Sequence, residues 1–130
     1  MFIESPKTTV TKSQEETFYF LNDLANYEKL MPENIDKFEV LNENRFLFSL
    51  KGMPEIVLEK KNQGPYSKIV LGAASDKLPF TLTADIHELE ESKSEVTLSF
   101  SGEFNAMMAM MIKSPITNFM NTLASNLEKI

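Results

Sequence analysis

The chain contains no cysteine and no tryptophan, and His87 and Arg45 are the sole members of their kinds. Without cysteine neither a disulfide framework nor a thiolate metal site can form. One imidazole with no His or Asp pair at ligand spacing gives no metal centre. The four glycines are scattered, so no phosphate-cradling loop exists, and the nucleophile-elbow and dinucleotide fingerprints are missing as well. No cofactor is therefore expected. Basic residues are the minority, 13 against 19 acidic, and the net charge of −6 argues against nucleic acid and against anionic membrane surfaces. No apolar run reaches the length of about 18 residues that a membrane span needs, and the N-terminus lacks a signal-peptide core. The expectation is a cytoplasmic protein without stable membrane insertion, monomer or homodimer.

What the chain does have is enough length, 130 residues, for one domain with a substantial core. Its most informative stretch runs from Asn105 to Ile130. Met107, Met110 or Met111, Ile116, Phe119 or Met120, Leu123 and Leu127 recur at spacings of three and four, which predicts one long amphipathic helix. Asn105 suits the N-cap, and Lys129 suits the negative end of the helix dipole. Pro115 falls inside that helix, where it costs about 3 kcal/mol and bends or breaks it. The methionines before it are flexible and polarisable. They either plug the core or line a cavity that accepts a ligand.

Upstream, Thr8 to Thr11 is a β-branched run that favours a strand, with Pro6 at its start. Ser13 and Glu16 read as a capping box, followed by Phe18, Leu21, Leu24 and Ala25 at helical spacing. Asn22-Asp23 divides this into two short helices, the second ending at Met31-Pro32. From Ile35 the period becomes two. Phe46, Phe48 and Leu50 share one face, with Arg45, Leu47 and Ser49 on the other. Ile56 and Leu58 oppose Val57 and Glu59 up to Lys60-Lys61, and Asn62-Gln-Gly-Pro65 reads as the strongest turn. Ile69, Leu71 and Ala73 follow, then Phe80, Leu82, Ala84 and Ile86. Val96, Leu98, Phe100, Gly102 and Phe104 form the last inward set. Strict alternation describes an antiparallel sheet covered on one face only. A run of strands with segregated helices implies an α+β fold.

This order of elements resembles the START-like helix-grip superfamily, which includes polyketide cyclases, lipid-transfer proteins and pollen-allergen-like proteins. The segment Asn26 to Pro32 is similar to a loose pattern of that group, an aromatic residue followed shortly by proline. The resemblance implies a curved antiparallel sheet of six or seven strands wrapped around the C-terminal helix, with two short helices after the first strand. It also implies an apolar cavity between sheet and helix. Matching structural positions would line it with Phe46, Phe48, Leu50, Ile69, Leu71, Leu82, Ala84, Ile86, Leu98, Phe100 and Phe104, and with Met107, Met110, Met111 and Phe119 from the helix. No catalytic residue set carries over.

Acid–base candidates are few. His87 alternates onto the wet face, and Arg45 reads as an exposed strand residue rather than an anion clamp. Ser49, Thr81, Thr83, Ser99 and Ser101 alternate outward. Glu33, Asp76 and Lys77 fall near the mouth of the expected cavity, where an apolar rim would raise a carboxyl pKa. The leading expectation is binding of a small hydrophobic ligand such as a lipid, quinone or polyketide-like molecule. The alternatives are a cyclase or dehydratase using Glu33 or Asp76, and a protein-interaction module whose cavity its own side chains fill.

Overall fold

The computed structural model describes residues 1–74 and 80–130. Eight strands form one antiparallel sheet: β1 (Phe2–Glu4), β2 (Thr8–Val10), β3 (Ile35–Asn42), β4 (Arg45–Leu50), β5 (Ile56–Gly64), β6 (Lys68–Ala73), β7 (Phe80–Glu90) and β8 (Lys93–Gly102). Strands β3 to β8 meander in sequence order, and β1 and β2 both pair with the free side of β8. Helix α1 (Gln14–Asn22) and a 3-10 helix (Leu24–Leu30) precede the meander, and helix α2 (Ala106–Leu127) ends the chain. The curved sheet and the long terminal helix make a helix-grip architecture of the α+β class. Among the described residues, no helix is long and apolar enough to cross a membrane.

The sheet has one strand more than the six or seven expected, because the N-terminal strand is broken in two. Pro6 cannot donate to β8. Ser5 compensates at the break: its N–H donates to the Leu98 carbonyl at 2.8 Å, and its Oγ accepts from the Leu98 N–H at 3.0 Å. The second difference lies in β5. It runs through Lys60-Lys61 to Gly64, and the turn follows at Pro65-Tyr66-Ser67 instead of Asn62–Pro65. Pairing with β6 overrides the turn chemistry, at the expense of a bulge at Lys61 between the pairs Lys60–Leu71 and Asn62–Val70. The Lys61 side chain lies across Gly72, where a Cβ would come within 2.8 Å of its carbons.

The capping box forms as the sequence requires. Ser13 Oγ accepts from the Glu16 N–H, and the Glu16 carboxylate accepts from the Ser13 N–H. Asp23 then caps the 3-10 helix, accepting from the Ala25 N–H at 3.1 Å. Among the described residues two hydrogen bonds tie α2 to the rest: Asn126 donates to the Leu30 carbonyl at 2.9 Å, and Thr8 Oγ1 donates to the Ala124 carbonyl at 3.3 Å. Both lie near the C-terminal end of the helix. There Phe119, Met120, Leu123, Ala124 and Leu127 are buried against the sheet. Burial of such side chains stabilises by about 1.5–3 kcal/mol each.

An aromatic column runs through this core. Tyr27 stacks on Phe46 at 5.4 Å, Phe46 on Phe48 at 5.9 Å, and Phe48 on Phe119 at 5.3 Å between centroids. Burial pushes the Tyr27 phenol well above its ordinary value, so it stays neutral. Outside, Glu59 joins Arg45 and Lys61 in a three-residue ion cluster. Ser49 is a correction to the simple alternation: it is buried, not exposed, as are Ser94 and Thr97.

Candidate ligand cavity

The N-terminal half of α2 does not seat on the sheet as its C-terminal half does. Asn105 caps the helix, accepting from the Met108 N–H at 2.8 Å, and the helix continues through Pro115 without a break. Residues 106 to 118 stay half-buried or exposed. Beneath them lies a cavity of about 300 Å³. Its walls are Phe48 of β4, Ile56 and Leu58 of β5, Phe80 and Leu82 of β7, Phe100 of β8, and Phe104 just beyond it. Met108, Met111, Ile112, Ile116, Phe119 and Met120 form the helical side, and Gly52, Met53 and Pro54 of the β4–β5 turn complete the rim. The strand residues all come from the same end of the sheet, late in β4 and β8 and early in β5 and β7, since these strands alternate in direction.

Two aromatic groups flank the space. On one side stand Phe48 and Phe119; on the other Phe100 packs against Phe80 at 5.1 Å and stacks on Phe104 at 6.1 Å. Gly102 makes the second group possible, because a Cβ there would come within 2.7 Å of the Phe104 ring and 2.9 Å of Phe80 Cβ. Among the described residues every lining side chain is apolar, and none titrates. Such a surface can bury a hydrophobic molecule.

Of the residues expected to line a cavity, Phe48, Leu82, Phe100, Phe104, Met111 and Phe119 do so. Met111 stands at the mouth, 71% exposed. Met107 and Met110 are displaced from their expected place: they are 75% and 82% exposed and point to solvent. The stripe that faces the cavity is Met108–Ile112–Ile116–Met120: it agrees with the expected one from Ile116 onward, and before that Met108 and Ile112 stand where Met107 and Met110 were expected. Phe46 and Ile86 are buried in the filled core instead, and Leu50 is buried at the edge of an adjoining groove. Ile69, Leu71, Ala84 and Leu98 surround a void of only about 10 Å³ deeper in the core.

Gly52, Met53, Pro54, Ile56, Leu58 and Phe80 complete the lining and were missing from the expected set, as were Met108, Ile112, Ile116 and Met120. Ile56, Leu58 and Phe80 carried a signal, since each begins or continues an inward-facing alternation. Met53 and Pro54 carried none beyond a turn. Glu33 is exposed and does not line the cavity. Asp76 and Lys77 lie outside the described residues. His87 is exposed on β7, and Arg45 pairs with Glu59 at 2.7 Å.

No family model matches the chain, and no curated protein matches it. Solved structures do. A point mutant of norcoclaurine synthase from Thalictrum flavum, in complex with a transition-state analogue, superposes with a TM-score of 0.75 at 9% identity, covering 99% of this chain and 92% of that one. A START superfamily protein from Mycobacterium smegmatis gives 0.72 at 13% identity, covering 98% and 94%. A conserved protein from Geobacillus kaustophilus gives 0.69 at 13%, covering 98% and 92%. The fold is START-like. At these identities the helix-grip backbone is what is shared.

Proposed function

We propose that this START-like chain binds a small hydrophobic molecule in the cavity between the sheet and the N-terminal half of α2. It works as one domain, in the cytoplasm, as a carrier or store for a lipid-, quinone- or polyketide-like compound. The observation that carries this reading is the lining itself: about 300 Å³ of space bounded wholly by apolar groups among the described residues. That volume sits at the small end of ligand pockets, which run from about 300 to 1,000 Å³. Affinity would come from apolar burial, at about 25 cal/mol per Å². A solved norcoclaurine synthase holds dopamine and hydroxybenzaldehyde, so a helix-grip backbone accommodates small aromatic molecules. Binding is favoured over turnover because no titratable group stands on the described lining.

The test compares two tryptophans on one helix. Ile112→Trp fills the cavity, whereas Met110→Trp adds the same ring on the solvent side. Uptake of the fluorescent probe N-phenylnaphthylamine should disappear in the first variant and persist in the second. Equal uptake by both would reject the site. Native mass spectrometry of protein purified without detergent should reveal any apolar molecule that co-purifies.

A further inference from the structure

Beside the apolar cavity lies a second compartment of about 260 Å³, and the two share a wall. Met53 and Phe119 line both. The second compartment differs in chemistry: its polar groups are Asn34, Lys51, Asn118 and Thr122. Among the described residues no carboxylate lines either space, and Lys51 forms no ion pair. The backbone around it is fixed, with the Lys51 N–H donating to the Asn34 carbonyl at 2.9 Å and the Met53 N–H to the Leu50 carbonyl at 2.9 Å.

One compartment is therefore oily and neutral, and its neighbour is mixed, with four polar side chains, one of them a cation, among the described residues. Phe119 is held in place by its stack on Phe48. Met53 has no such stack and is only half-buried against the core. It sits in the β4–β5 turn, next to Gly52 with its φ of 82°, and its unbranched side chain has several rotamers available.

Resting on the binding function proposed above, we infer that the ligand is an amphiphilic carboxylate. Its hydrocarbon part fills the cavity, and it passes between Met53 and Phe119. Its carboxylate lies in the groove, where Lys51 supplies the charge and the side-chain amides of Asn34 and Asn118 supply hydrogen-bond donors, while the Thr122 hydroxyl is spent on the Asn118 carbonyl at 2.9 Å. A neutral chain of the same length would fill the cavity equally well but gain nothing from Lys51.

The experiment measures the affinities of decanoate and decanol by calorimetry above neutral pH, for the wild type, Lys51→Ala and Lys51→Glu. Lys51 is exposed, so both variants should fold. An exposed charge pair of this kind is worth up to about fivefold in affinity. Lys51→Ala should therefore weaken decanoate by about that factor, Lys51→Glu by more, and both should leave decanol unchanged. If decanol binds and decanoate binds no differently in the three proteins, the amphiphile inference fails while the apolar site stands. If neither ligand binds the wild type, and N-phenylnaphthylamine is not taken up either, the binding function itself fails with it.

Discussion

The Phe119 ring of α2 lies face to face on Phe48 of β4, their centroids 5.3 Å apart and their planes 6° from parallel. This pair stands where the helix passes from seated to lifted. Below it the helix is buried; above it the cavity opens. Truncating either ring should cost about 3–5 kcal/mol, as for other buried Phe→Ala changes. The double variant should show a coupling of about 0.5–1.5 kcal/mol beyond additivity. Urea unfolding with an unchanged m-value checks both figures, and strict additivity would show that the stack does not anchor the helix.

Gly102 carries the opposite wall. With Phe104 and Phe80 within 3 Å of the place its Cβ would occupy, Gly102→Ala must push one ring aside. Phe80 is approached at its own Cβ, next to the backbone, so Phe104 is the ring that moves. Overpacking of this kind costs about 1–3 kcal/mol. Ligand uptake should fall together with the melting temperature. A variant with wild-type uptake would mean that Phe104 is not needed to close the cavity.

The sheet was legible because one of its faces is dry: from Phe46 to Phe104 the alternation names the inward side, and burial follows it except at Ser49 and Thr97. The capping box of Ser13 and Glu16 and the cap at Asn105 were legible because their chemistry is local. The phase of α2 over Ala106–Ile112 was not. That stretch is apolar on every side, so periodicity could not separate Met107 and Met110 from Met108 and Ile112, and only the seated half from Phe119 to Leu127 fixes the rotation. Extrapolating that half backwards in steps of four, through Met120, Ile116 and Ile112, recovers the correct face. The last three residues of β5 hid for a different reason. Asn62-Gln-Gly-Pro65 is turn-like by itself, and pairing with β6, a non-local term, decides its state. Met53 entered the site from a turn, where no periodicity exists to find it.

The rotation of α2 has a chemical signature. Thioethers in water are oxidised by peroxide to sulfoxides far sooner than buried ones. Met107, Met110 and Met111 are more than two-thirds exposed, while Met120 is fully buried. Peptide mapping after graded hydrogen peroxide should find the first three modified before Met108 and Met120 last. Early oxidation of Met108 together with protection of Met107 would reverse the assigned face.

Glu59 supplies a pH test on the outer face of the sheet. The Lys61 ammonium at 2.6 Å and the Arg45 guanidinium at 2.7 Å hold its carboxyl below the ordinary value of 4.5. A depressed folded-state pKa adds stability above the unfolded value and loses it as pH falls through the folded one. The stability gap between wild type and Glu59→Gln should therefore be greatest at neutral pH. It should narrow once the pH drops below about 4.5. A gap independent of pH in urea midpoints would show that the cluster does not contribute through ionisation.

Pro115 gives the last test, because it acts on the helix and the cavity together. It leaves the Met111 carbonyl without its i+4 donor and sits at the rim where α2 lifts from the sheet. Pro115→Ala restores that donor and removes a residue worth about 3 kcal/mol less than alanine in a helix interior. Part of the gain is lost because alanine frees the unfolded chain, by about 0.4–1 kcal/mol. A net stabilisation of about 2 kcal/mol is expected from these opposing terms. If the proline is also what holds Met108 and Ile112 off the sheet, the more stable variant should take up less N-phenylnaphthylamine. Thermal unfolding and probe titration on the same preparation separate the two effects. A stabilised protein with undiminished uptake would mean that the cavity owes its space to side-chain packing and not to the course of the helix.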